Sequence, residues 1–424
     1  MRRTVLPGGL RVVTETMPGS RSAAVGLWVA VGSRDEHPAS AGAAHFLEHL
    51  LFKATPTRTA TSLAAEIDAV GGELNAFTDK EYTCYHAHVL DTDVELAVDL
   101  VTDVVLRGKC AAADVDLERE VVLDELSLRD DDPEDLVSDA ALRALFGDHP
   151  LGRPVIGTEQ SVTDMTRNRL RAFHARRYRP DRMVLAVAGN VTHAQVVRLA
   201  RAAFAGHLDE AAASAQPRTG VRRFPGRPGL VVHRRDSEQA HIVAGVRAYG
   251  RSHPDRQALS VLNVAVGGGL SSRLFQEIRE MRGLAYSVYS GIDAFADTGA
   301  FTVYAGCSPD RLGEVARVAR GVLEAVRDEG ITPVELARAQ GALRGGLVLG
   351  LEDVQSRMHR IGRQETTYQN QRSVARTVRG IDSVTADDVR RVASDVLSRP
   401  FGGAVVGPYR GRSALPSAVR NWLG

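Results

Sequence analysis

The apolar run Ala23-Ala24-Val25-Gly26-Leu27-Trp28-Val29-Ala30-Val31 leads into a polar turn, Gly32-Ser33-Arg34-Asp35-Glu36-His37-Pro38, and then into a helical stretch. The same succession returns in the second half as Ala240 to Val246, Gly250-Arg251-Ser252-His253-Pro254-Asp255 and another helical stretch. Placing His37-Pro38 on His253-Pro254 shifts the chain by 216 residues, about half of its 424. A second echo closes each half. Ser161-Val162-Thr163 opens a helical segment running to Arg177, and beyond it come Pro180 and the strand Met183 to Ala188, ending in Gly189. Ser383-Val384-Thr385 opens its counterpart, with Thr385 and Asp388 spaced as a capping pair, followed by Pro400 and the strand Ala404 to Val406, ending in Gly407. A correspondence at this period implies a duplicated domain, and the length itself exceeds what one core ordinarily serves.

Leu208 to Gly229 is rich in Ala, Ser, Gly, Pro and Arg and lacks sustained periodicity, as a linker does. The expected division is therefore 1–210, a linker at 211–228, and 229–424. Each half mixes period-2 strands, such as Thr83 to Val89 and Ala300 to Ala305, with amphipathic helices, such as Glu95 to Leu106 and Leu312 to Arg327. Thr4 to Val13 reads as strand, turn, strand. Strand and helix do not alternate strictly, which favours an α+β fold over a doubly wound parallel sheet. The expectation is two homologous domains, each a mostly antiparallel sheet packed with helices, enclosing a central cavity.

Composition narrows the function classes. The chain is 44% hydrophobic and 25% charged, with a formal net charge of +1, which gives no bulk attraction to nucleic acid or to an anionic membrane. Basic charge is almost all arginine, since Lys53, Lys80 and Lys109 are the only lysines. Arg176, Arg177, Arg179 and Arg182 form the densest local group, and they flank the Pro180 turn rather than make a phosphate-binding stripe. Cys84, Cys110 and Cys307 are odd in number and far apart, which argues against disulfides and a thiolate zinc site and fits a reducing compartment. No apolar run approaches the roughly 18 residues of a membrane span, and no apolar core follows Arg2-Arg3. The expected location is cytoplasmic.

The chemistry concentrates in His45-Phe46-Leu47-Glu48-His49. Two histidines four apart on a helix present both imidazoles on one face, as one ion requires. Glu48, three residues after His45, sits on the adjacent edge, where a base can take a proton from metal-bound water. A catalytic zinc keeps three protein ligands, so one more must come from elsewhere. Asp116 to Leu126 offers Glu118 and Glu125, seven apart and thus on one helical face beside Val121 and Val122. His86 and His88 share a strand face, but no third ligand accompanies them.

The His-x-x-Glu-His order is the inverted zinc-peptidase signature. The chain resembles the pitrilysin and mitochondrial processing peptidase superfamily, in its bacterial processing-peptidase-like branch, over nearly its whole length. Gly42 to Lys53, Gly71 to Thr78, Glu118 to Glu125, His149 to Thr158, Gly267 to Phe275 and Arg282 to Ser287 carry the likeness. The resemblance implies a zinc-dependent endopeptidase for unstructured peptides or presequence-like segments, with one Zn2+ per chain. It places the third ligand 76 residues beyond the second histidine, at Glu125, and makes Glu118 a supporting carboxylate that orients a histidine or the water. It makes Asn75-Ala76-Phe77 an edge strand to which an extended substrate adds, with Phe52 and Phe77 lining the pocket just after the cleaved bond. From the second half it brings Arg279, to hold a substrate carbonyl, and Tyr286, to hydrogen-bond the oxyanion. Gly283 should end the helix that carries Arg279, leaving Tyr286 at the start of a strand. The second half lacks the motif, with Val261, Val264 and Ala265 in its place, and would act as a clamp. A homodimer is implied by the resemblance. The alternative is a non-catalytic partner subunit, which the superfamily also contains. Such subunits usually lose ligands or the base, and this chain keeps all of them.

Overall fold

The computed structural model describes residues 1–208, 212–224 and 226–424. Ala211 and Pro225, within the expected linker, lie outside the described residues, and the remainder of that segment carries neither helix nor strand. Two compact units emerge. The first comprises Met1–Ser127, Pro154–Pro217 and Leu349–Arg372, and the second comprises Leu128–Arg153, Arg218–Val348 and Ser373–Gly424. They therefore cut across the contiguous division of the sequence, because each unit holds a segment from the opposite half.

The first unit is built on a six-stranded sheet of β1 (Arg2–Val5), β2 (Arg11–Thr16), β3 (Ser22–Val29), β4 (Glu73–Thr78), β5 (Thr83–Leu90) and β6 (Met183–Gly189), in the order β1-β2-β6-β3-β5-β4. Only β2 and β6 are parallel. The second unit has β7 (Leu230–Arg234), β8 (Ala240–Ala248), β9 (Ser287–Ala294), β10 (Gly299–Cys307) and β11 (Gly402–Gly407), in the order β7-β11-β8-β10-β9. Its one parallel pair is β7 with β11. The second order repeats β2-β6-β3-β5-β4 strand for strand, which is the duplication read from the sequence. Thr385 and Asp388 bond reciprocally at the start of the helix Ala386–Leu397, as their spacing predicts.

From Ala23 onward the strand β3 is apolar and buried because both faces of its sheet are covered. Ala23, Val25, Leu27 and Val29 face the helices of the first half, among them Ala43–Leu51 and Val94–Arg107. Ala24 and Trp28 face Val354, Met358 and Ile361 of the helix Val354–Tyr368. Two glycines let that helix approach. A Cβ on Gly26 would lie 2.3 Å from Met358 Sδ, and one on Gly362 would lie 2.1 Å from Trp28 Nε1. The mirror arrangement holds in the second unit, where Val137, Ala140 and Ala141 of the helix Pro133–Phe146 pack on Val243, Tyr304, Ala404 and Val406. No helix among the described residues is long and apolar enough to cross a membrane.

Candidate metal centre

The helix Ala43–Leu51 is nearly engulfed by the first core. Ala43, Ala44, Phe46, Leu47, Leu50 and Leu51 are buried, and His45, Glu48 and His49 are the three residues of the helix that reach its accessible face. The apolar majority fixes the rotation of the helix, and the rotation aims the motif. Its start is fixed by Gly42, at φ +88°, where a Cβ would meet Ile156 O at 2.4 Å. The buried Glu36 carboxylate accepts from Gly42 N (2.8 Å) and Ala44 N (2.7 Å), satisfying N–H groups that the first helical turn leaves unpaired. Glu36, part of the turn on which the duplication was read, thus acts as a cap, a role that its spacing from the motif could have suggested.

The helix Ala112–Asp131 supplies the facing carboxylates. Val115, Glu118, Val122 and Leu126 are buried along one face, and Glu125 is half-exposed at its edge, whereas Glu120 and Asp124 point to solvent. Glu125 Oε1 lies 3.5 Å from His45 Nε2, and Oε2 lies 3.4 Å from His49 Nε2. The three donor groups lie within 4.8 Å of one another. They form the single set of three or more His, Cys, Asp or Glu side chains among the described residues that is close enough to hold one ion. Glu118 accepts from His49 Nδ1 at 3.2 Å, which leaves the Nε2 lone pair for a metal. Lys53 pairs with the same carboxylate. Burial pulls His49 toward its neutral form, but the Glu125 and Glu118 carboxylates outweigh it and raise its pKa. The two histidines hold Glu125 well below the usual carboxylate range.

The donor set fits zinc. Two imidazole nitrogens and a carboxylate are ordinary zinc ligands, and the buried Glu125 Oε2 has no well-formed hydrogen bond although it lies 3.4 Å from His49 Nε2. A divalent ion between them would satisfy that oxygen. Glu48 stands beside the ligands, and its Oε2 accepts from Thr78 Oγ1 at 2.5 Å. Burial raises the Glu48 pKa. Thr78, which the sequence did not single out, ties the base to the end of β4.

Strand β4 is an edge, paired with β5 alone, so the backbone of Asn75, Ala76 and Phe77 is open on one side. The alternation of the strand corrects one expectation. Ala76 packs with the core beneath the metal-bearing helix, as does Phe52, whereas Phe77 turns to the opposite face. There it meets Trp28 edge-on and stacks on His359 at 5.5 Å, so Phe52 and Phe77 do not line one pocket. His86 is on that face too, and burial lowers its pKa to about 4.

In the second unit, Arg279 lies in a wide helical turn, Phe275–Glu280, and Gly283 at φ +57° ends it. Tyr286 directly precedes β9. The turn folds the pair together, with the Arg279 guanidinium 4.6 Å from the centre of the Tyr286 ring, which is 80% exposed.

A buried helix that presents two histidines and a glutamate, faced by a third ligand from a second helix, within a duplicated α+β fold, defines a zinc-peptidase-like protein. The chain belongs to peptidase family M16. Residues 11–159 match the family described as insulinase (peptidase family M16), and residues 164–343 match the peptidase M16 inactive domain, which agrees with the absence of the motif there. A relative in Mycobacterium tuberculosis, called an uncharacterized zinc protease, is 59% identical over 423 residues, 100% of this chain and 97% of its own. Relatives of the same description occur in Streptomyces coelicolor (51% identical, 98% of this chain and 91% of its own) and Bacillus subtilis (34%, 96% and 98%). Two solved structures share the fold. A protease from Helicobacter pylori has a TM-score of 0.90 at 22% identity, covering 96% of this chain and 99% of its own. A peptidase M16 inactive domain from Pseudomonas fluorescens has a TM-score of 0.86 at 21%, covering 98% and 99%.

Proposed function

We propose that this chain is a zinc-dependent endopeptidase of unstructured peptides or presequence-like segments, with one zinc ion held by His45, His49 and Glu125. The observation that carries the reading is the convergence of those donors within 4.8 Å, beside a half-buried carboxylate that is not a ligand. A zinc ion there supplies Lewis acidity that brings the pKa of a water near 7 and polarises the scissile carbonyl. Glu48 takes the proton of the attacking water and returns it to the leaving amine. Thr78 holds the Glu48 carboxylate at the end of β4, so a peptide added to that open edge runs directly past the base. Glu118 holds His49 in the tautomer that coordinates. By the family resemblance, Tyr286 is assigned as the donor to the developing oxyanion and Arg279 as the residue for a substrate carbonyl. A purely structural zinc site has no use for Glu48, and a non-catalytic partner subunit has no use for the full set. The test is metal content together with cleavage of an unstructured peptide by wild type and Glu48→Gln. The variant should bind zinc normally and lose cleavage, and a variant that cleaves at the wild-type rate would overturn the assignment of the base.

A further inference from the structure

Arginines that are scattered along the sequence gather around a groove of about 670 Å³ in the second unit. Its lining includes Arg143 from the helix Pro133–Phe146 and Arg223 and Arg227 from the segment ahead of β7. Arg412 also lines it and donates to Leu230 O at the start of the edge strand β7. Arg143, Arg223, Arg227 and Arg412 are exposed, and none has a carboxylate partner among the described residues. Asp148 is the one acidic residue in the lining. Unpaired like charges collected in a concave site focus potential and attract an anion. Arginine forks match carboxylate geometry in two hydrogen bonds at once.

The floor is apolar but offers no stacking platform. Phe224 is packed between Phe146 (5.2 Å) and His149 (5.1 Å), and the Arg247 guanidinium covers its ring at 5.0 Å. Arg247 also donates to Leu145 O and Phe224 O, which fixes the segment over the sheet. A nucleic acid base would find every aromatic face taken. The groove runs to the start of β7, an edge strand of its sheet, where an extended chain can lie.

We propose that this groove binds an acidic stretch of an extended polypeptide, separately from the metal centre. Its carboxylates pair with Arg143, Arg223 and Arg227, and its backbone lies along the edge strand β7 beyond the Leu230 carbonyl that Arg412 covers. The inference does not rest on the peptidase reading, and it is tested in the full-length Glu48→Gln protein so that cleavage does not interfere. Fluorescence anisotropy is read with a labelled 12-residue peptide of alternating Glu and Ser, with its Gln-Ser counterpart, and with a 12-mer of thymidylate. The acidic peptide should bind, with salt weakening it. Arg143→Glu/Arg223→Glu/Arg227→Glu should weaken it by about tenfold or more, and the corresponding triple lysine variant, which keeps the charge but not the paired hydrogen bonds, should fall between wild type and the charge-reversed protein. Equal binding of the acidic peptide by the charge-reversed protein, provided its thermal unfolding is unchanged, would overturn the proposal. So would equal binding of the Gln-Ser peptide, or tighter arginine-dependent binding of the thymidylate.

Discussion

Replacing Met358 with alanine should destabilise the first sheet, although residue 358 lies in the second half of the chain. Its side chain is fully buried against Val13, Ala24, Trp28, Cys84, Val184 and Ala186, and Gly26 is small so that the sulfur fits. Truncating a buried methionine to alanine costs about 2–5 kcal/mol, the spread reflecting how far the cavity collapses. With a urea slope of about 2–3 kcal/mol/M, the midpoint of the first unit should fall by roughly 1–2 M. The two tryptophans allow the units to be read apart, because Trp28 sits in this cluster and Trp422 in the second core. In a Trp422→Phe background, fluorescence follows Trp28 alone. Val389→Ala, close in sequence but buried in the second core, is the control and should leave the Trp28 midpoint in place. A Trp28 midpoint that stays within about 0.2 M on Met358→Ala would refute the docking of this helix on the first sheet.

Glu118→Gln should weaken zinc binding about 10- to 100-fold in a chelator competition, because His49 exchanges a charged carboxylate acceptor for a weaker neutral amide that polarises and orients the ring less. Tyr286→Phe should lower kcat by about 10²–10³ with thermal stability unchanged, since the ring is exposed and only the hydroxyl is removed. Glu335 gives a pH signature. Arg273, with Thr332, holds its pKa at about 2, down from an ordinary 4.5. A depressed carboxylate stabilises the fold above its unfolded pKa and loses that contribution as pH falls through the folded one. Glu335→Gln should therefore be most destabilising above pH 4.5, and its penalty should shrink between pH 4.5 and 2 in urea titrations followed by Trp422.

The metal face was legible because helical geometry is rigid: a spacing of three and four residues on an apolar helix leaves one arrangement open to His45, Glu48 and His49. The duplication was legible for a similar reason, since matching turns at His37-Pro38 and His253-Pro254 mark the same strand end in both sheets. Partner choice was not. Val354, Met358 and Ile361 form a recognisable apolar stripe, but a stripe says only that a helix must be covered, and local pattern assigns it to the nearer sheet. The face of Phe77 was missed because β4 borders two cores, and both of its faces carry apolar residues. Thr78 escaped notice because a hydrogen bond between segments far apart in sequence leaves no periodic trace, whereas the cap at Glu36 is local and was readable from its spacing to the motif. The groove arginines come from three separated stretches, so no local count could reveal them.

The proposed chemistry depends on His45, His49 and Glu125 holding one zinc ion together. Anomalous diffraction at the zinc edge, from crystals of the full chain grown with one equivalent of zinc, tests it most directly. One peak is expected at about 2.0–2.2 Å from His45 Nε2, His49 Nε2 and a Glu125 carboxylate oxygen. A peak coordinated by Glu118 in place of Glu125, or no peak between the two histidines, would contradict it.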